Sequence, residues 1–244
     1  MIWKYKHGNV LIMDLESPTQ NEAKYIEEEY QIPEYFSKKI IIKDYMPILE
    51  SGEGFIFMSF IVPFINGNVG LSFLSGDNIL VISHKKKLEP ILKYYQDLEI
   101  DLSLNKINID GVNSDRIMVN LISKIFEHKI KYLEKIKFIL KNNMENKNGS
   151  YIDLSDFLNK YEINLSLSKD IIKELGSVLK LEKVLDIHSS IVKLEEEIKV
   201  YKKINTSIYL DQMKEKSIKN KIKKNFLIFV LLVFIIMLIY LIWL

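Results

Sequence analysis

Cysteine is absent from the 244 residues. That excludes disulfides, thiolate zinc sites, iron–sulfur clusters and cysteine nucleophiles together. Arginine is almost absent too: Arg116 is the single one. Guanidinium is the usual bidentate reader of phosphates and guanine edges, so no nucleic-acid partner is expected. The four histidines, His7, His84, His128 and His188, stand far apart and lack metalloprotease spacing. No Walker A loop, GxGxxG fingerprint or nucleophile elbow occurs. Without a catalytic constellation, the chain is read as not an enzyme. Ser51-Gly52-Glu53-Gly54 is the nearest thing to a glycine-rich loop, and its acidic side chain suits a turn better than a phosphate cradle.

Proline and glycine run out early. All five prolines and six of the nine glycines lie within the first 90 residues, and from Ser177 to the end there is neither. The breakers predict a mixed α/β region first and long helices afterwards. The runs 9–15, 38–44, 54–64, 69–74 and 78–84 are β-branched and aromatic and read as strands, with Ser75-Gly76-Asp77-Asn78 as a hairpin turn. Asp14 to Ile32 reads as helical, started by Ser17-Pro18-Thr19, and Leu88 to Leu98 as a short helix. A helix capped by Asn113 or Ser114 runs to about Asn143, with Ile122, Phe126, Ile130, Leu133, Ile136 and Leu140 on its apolar face. A looser helical stretch comes next, between Asp153 and Leu175.

The near balance of 34 basic against 32 acidic residues hides an asymmetry. Tyr201 to Asn225 holds eight lysines and only Asp211 and Glu215 as acids. Immediately afterwards Phe226 to Leu244 reads FLIFVLLVFIIMLIYLIWL, without a charge. As a helix this run is about 28 Å long, close to the hydrocarbon thickness of a bilayer. Lysines before the span keep that side in the cytoplasm, and Tyr240 with Trp243 suit the far interface. The expectation is a single-pass protein of the inner or plasma membrane with a cytoplasmic N-terminal domain. Lys214, Lys216, Lys219, Lys221, Lys223 and Lys224 are the expected contacts to lipid head groups.

Between Ser177 and the span, Val184, Ile187, Ile191, Leu194, Ile198, Tyr201 and Ile208 follow an a/d heptad, with Asn205 at an a position. The seam fits an intramolecular bundle against residues 115–175 and an oligomeric coiled coil equally well. Glu195-Glu196-Glu197 reads as a solvated helix face, or as a cation contact within an oligomer. The expected fold class is an α+β cytosolic domain followed by long helices and one C-terminal transmembrane helix. Its parts are an α/β domain at 1–110, a helical hairpin region at 111–176, a stalk helix at 177–225 and a membrane helix at 226–244.

Several segments in this order resemble the CorA-type divalent-metal transporters. They are IMDLESPT (12–19), ILVISH (79–84), DRIMVNLISKIFEHKIKYLEKI (115–136) and DIHSSIVKLEEEIKVYKKINTSIYLDQM (186–213), the last leading straight towards the apolar run. The family's Gly-Met-Asn tripeptide and second membrane helix do not occur in this sequence, so the resemblance is to a truncated form. It implies a homo-oligomer, a pentamer by analogy, with Mg2+ or another divalent cation as cargo and regulator. By the same resemblance Asp186 stands at the acidic stalk position that binds metal, and Asn220 or Asn225 near the mouth of the pore. The resemblance implies a reduced cation transporter or channel gated through a cytosolic sensing domain. The alternative is a membrane-anchored sensor, with a nucleotide as possible ligand, that acts at the membrane without selective transport, as some antiviral relatives are thought to do.

Overall fold

A computed structural model describes residues 2–41, 46–64, 67–86, 88–103, 113–146 and 151–243, of which 63–64, 67–68, 99–103, 143–146, 151–153 and 232–243 are described by their backbone alone. Among the described residues twelve elements succeed one another: β1 (Ile2–His7), β2 (Val10–Glu16), α1 (Gln20–Tyr30), α2 (Glu34–Ile40), β3 (Ile48–Gly52), β4 (Phe55–Phe64), β5 (Gly67–Gly76), β6 (Ile79–His84), α3 (Glu89–Ser103), α4 (Ser114–Asn146), α5 (Tyr151–Leu179) and α6 (Glu182–Trp243). The strands form one mixed sheet in the order β1-β2-β6-β5-β4-β3. Only β2 and β6 run parallel; the other neighbours are antiparallel.

Side chains alternate across each strand, so each face of the sheet collects its own core. Met13, Leu15, Leu74 and Val81 pack with Ile26, Phe36 and Ile40 of α1 and α2. Val10, Ile12, Phe60, Phe73, Leu80 and Ile82 face the other way, against Ile91 and Tyr95 of α3 and Ile122 and Phe126 of α4. Thr19 starts α1 with a reciprocal box: its hydroxyl accepts from the Glu22 amide, and the Glu22 carboxylate accepts from the Thr19 amide. Asn113 rather than Ser114 caps α4, its side-chain oxygen accepting from the Arg116 amide at 3.0 Å. Of the apolar positions expected on α4, Ile122, Phe126, Leu133, Ile136 and Leu140 are buried, whereas Ile130 is exposed.

Four runs became the strands expected of them, and β1 and β3 are additional. The run 38–44 did not. Lys38 to Ile40 close α2 instead, where Phe36 and Ile40 bury one helical face and Lys38 pairs with Glu34 one turn back; residues 42–45 lie outside the described ones. Asp14 to Glu16 belong to β2 and not to the helix. Glu53 and Gly54 form the tight β3–β4 turn, both at positive φ, as a two-residue hairpin requires.

The Gly- and Pro-free stretch from Ser177 is broken once among the described residues, at Lys180. Its φ is +52°, and its amide donates to the Gly176 carbonyl at 3.0 Å. This left-handed helix end, more often made by glycine, is held by Leu179 and Leu181 packing on the core. From Glu182 the chain is a single helix of 62 residues, about 93 Å long. The expected boundary at 110/111 lies outside the described residues. The one at 176/177 falls inside α5, and α6 crosses 225 without interruption.

Candidate functional site

The first half of α6 lies antiparallel to α5. Val184, Ile187, Ile191, Leu194 and Ile198 are all buried, in one core with Leu158, Leu165, Ile172 and Leu175 of α5. The heptad seam is therefore an intramolecular one, and Asn205 is buried at its a position. Glu195 departs from the solvated-face reading: it is buried and takes a 2.7 Å ion pair from Lys169 of α5. Glu196 and Glu197 are exposed.

Beyond Gln212 every described residue of α6 is exposed, through Leu231. The helix leaves the bundle and projects alone. Lys214, Lys216, Lys219, Lys221, Lys223 and Lys224 all lie on this free part, as do Asn220 and Asn225; Lys214 keeps a loose pair with Asp211 at 3.9 Å. Phe226, Leu227, Ile228, Phe229, Val230 and Leu231 come next, each about half or more exposed. Among the described residues no helix is long and apolar enough to cross a membrane. The side chains of the expected span from residue 232 onwards lie outside them.

Asp186 is exposed near the start of α6, where its carbonyl accepts from the Ser190 hydroxyl. It stands about fifty ångströms, roughly 34 residues of helix, from Asn220, so the structure does not bring the two together. No group of three or more metal-ligating side chains gathers among the described residues.

A different constellation is assembled on the sheet. In the register of β1 on β2, Trp3 lies opposite Asp14 and Tyr5 opposite Ile12. In the parallel pairing Glu16 lies beside His84. All sit near the carboxyl ends of β2 and β6, where crevices of parallel sheets form. Asp14 and His84 are 5% and 3% exposed, and the His84 Nε2 to Asp14 Oδ1 distance is 2.6 Å. Ser17, at φ +49°, ties the two strand ends together: its amide bonds the His84 carbonyl and its hydroxyl the Lys85 carbonyl. Tyr95 of α3 stacks on Tyr5 with ring centroids 4.2 Å apart. Burial, with the Asp14 charge behind it, holds the Tyr95 hydroxyl well above the usual tyrosine range. Trp3, Tyr5, Asp14, Glu16, His84, Leu88, Ile91 and Leu92 enclose a cavity of about 90 Å³. Asp14 and His84 stand inside the motifs quoted from the sequence, but nothing there pointed to their meeting. Trp3 and Tyr5 carried only the alternation of a short strand.

Comparison with solved structures fits this architecture. The CorA magnesium transporter of Methanocaldococcus jannaschii superposes with a TM-score of 0.74 at 15% identity, over 87% of this chain and 72% of that one. This is the fold of a CorA-type cytoplasmic region. The ZntB cytoplasmic domain of Vibrio parahaemolyticus gives 0.69 at 12% identity, over 85% and 88% of the two chains, and the full-length CmaX protein 0.73 at 10%, over 87% and 70%. Neither a protein-family model nor a curated protein sequence matches the chain. The CorA-like α+β domain and its long helices agree with that part of the expected fold class, whereas its C-terminal transmembrane helix is not found among the described residues.

Proposed function

We propose that this chain is a membrane-anchored, homo-oligomeric CorA-like subunit that passes or gates divalent cations, Mg2+ foremost, with the α+β domain on the cytoplasmic side. One observation carries the anchoring: α6 leaves its bundle after Gln212 and continues as a lone helix into an apolar run. A helix that is apolar all round needs a nonaqueous environment, and the sequence from Phe226 is uncharged to its end. The lysines just before it then meet anionic head groups, each favouring the surface by about 1 kcal/mol. The shared fold with the CorA magnesium transporter supports cation handling. Asp186 is the proposed metal-sensing position, since it is exposed on the stalk. Asn220 and Asn225 are proposed to stand near the mouth of the pore.

A second reading has its own support. The apolar run offers no Gly, Ser, Thr or Asn with which to replace an ion's hydration shell, which favours an anchor or a disrupting helix over a selective filter. In that reading the domain senses a ligand, a nucleotide among the possibilities. Mg2+ flux into liposomes holding the full-length protein, read by an entrapped dye, separates the two. Flux without dye leakage, with altered Mg2+ sensitivity in Asp186→Asn, is the expected result. Dye leakage instead supports the disrupting helix, and no flux leaves a tethered sensor.

A further inference from the structure

The cavity between β1, β2, β6 and α3 is chemically one-sided. It is lined by two carboxylates, one imidazole, two aromatic rings and three aliphatic side chains, and by no lysine or arginine among the described residues. The His84 Nδ1 is buried without a hydrogen-bond partner among the described residues. With Nε2 directed at Asp14, a neutral His84 imidazole carries its proton there and leaves Nδ1 as a bare acceptor. Buried polar atoms left in this state are uncommon and call for an explanation. A phosphate-bearing ligand is disfavoured, because Asp14 and Glu16 would repel it and no lysine or arginine is among the described lining residues. Asp14, Glu16 and His84 line the cavity, but they are not grouped so that they could hold a metal ion among the described residues.

We infer that this crevice binds a small aliphatic ammonium compound, with Asp14 as its counter-charge, the faces of Trp3 and Tyr5 against its cationic head, and Leu88, Ile91 and Leu92 along its hydrocarbon stem. Trp and Tyr faces attract an ammonium electrostatically, more so when it is desolvated. The volume of about 90 Å³ holds on the order of six to eight heavy atoms, the size of a short diamine. Because α3 forms one wall and the sheet the other, an occupied crevice would fix their spacing. That gives the domain a ligand input separate from any metal on the stalk, and it stands whether or not α6 conducts ions.

Trp3 and Trp243 are the two tryptophans, so Trp243→Phe leaves Trp3 as a built-in fluorescent reporter at the mouth of the cavity. Full-length Trp243→Phe protein in detergent is titrated with putrescine, choline and MgCl2 at constant ionic strength. A saturable change with putrescine, weakened at least about tenfold by Leu92→Arg, is the expected result. Leu92 is 42% exposed, so this variant places a like charge at the wall without opening the core. Asp14→Asn, checked for its melting temperature, should weaken binding as much. Absence of a saturable response to either amine would overturn the inference. So would a response to Mg2+ alone, or amine binding indifferent to Leu92→Arg and Asp14→Asn.

Discussion

Burial strips Lys129 of water without giving its ammonium a carboxylate. The residue is 2% exposed, its Nζ lies 4.2 Å from the Phe126 ring centroid and 5.6 Å from that of Phe60, and no hydrogen-bond partner is present among the described residues. Desolvation lowers its pKa from the usual 10.5 to about 7. The unfolded chain therefore binds one more proton than the native one between these two values, so stability rises with pH across that window. Below about pH 7 the native state carries the buried charge as well. Lys129→Met should raise stability by roughly 2–4 kcal/mol at neutral pH, and flatten the rise of melting temperature between pH 7 and 10. Urea denaturation at several pH values checks both. Only spacing marks Lys129 in the sequence: it stands three residues after Phe126 and four before Leu133, on the buried stripe of α4 where Ile130 was expected. Asp14 and His84 were hidden in the sequence. They are 70 positions apart, and the parallel register that joins their strands depends on a sheet order with β6 placed beside β2.

At the scale of the element, periodicity told most. The a/d positions of α6 and the apolar face of α4 were legible because they repeat over many turns, and long repeats average out local exceptions. Short runs were less so. Lys38 to Ile40 had strand composition, yet Pro33 starts a helix there and burial of Phe36 and Ile40 on one face decided it. The break at Lys180 was invisible, since a lysine stood where glycine usually marks a helix end. Ile191 tests the seam, because it is fully buried in the core that α6 shares with α5. Ile191→Ala should cost about 2–5 kcal/mol, read by denaturant unfolding. Leu185→Ala on the same helix, at a residue 66% exposed, should cost little and serves as the control.

On the scale of the whole molecule, two surfaces of opposite character are strung along one axis. The folded domain and bundle occupy residues 2 to about 212, and the remainder of α6 is first basic and then apolar. Replacing Lys219, Lys221, Lys223 and Lys224 by Gln should lower the amount of anionic lipid that co-purifies with the protein. The melting temperature of the domain should stay unchanged, because these exposed side chains lie beyond the bundle. Lipid extraction and phosphate analysis of detergent-purified samples would measure the first effect.

The continuity of α6 has a mechanical consequence. A continuous helix of about 93 Å whose base is seated in the bundle acts as a lever arm. A tilt of about 5° at the α5–α6 corner displaces the far end by roughly 8 Å, more than one helical pitch. No hinge residue, neither glycine nor proline, interrupts the arm from Glu182 onwards to absorb such a motion. Small changes in how α6 sits on α5 are therefore delivered to its apolar end multiplied by length, and the bend at Lys180 is the fulcrum.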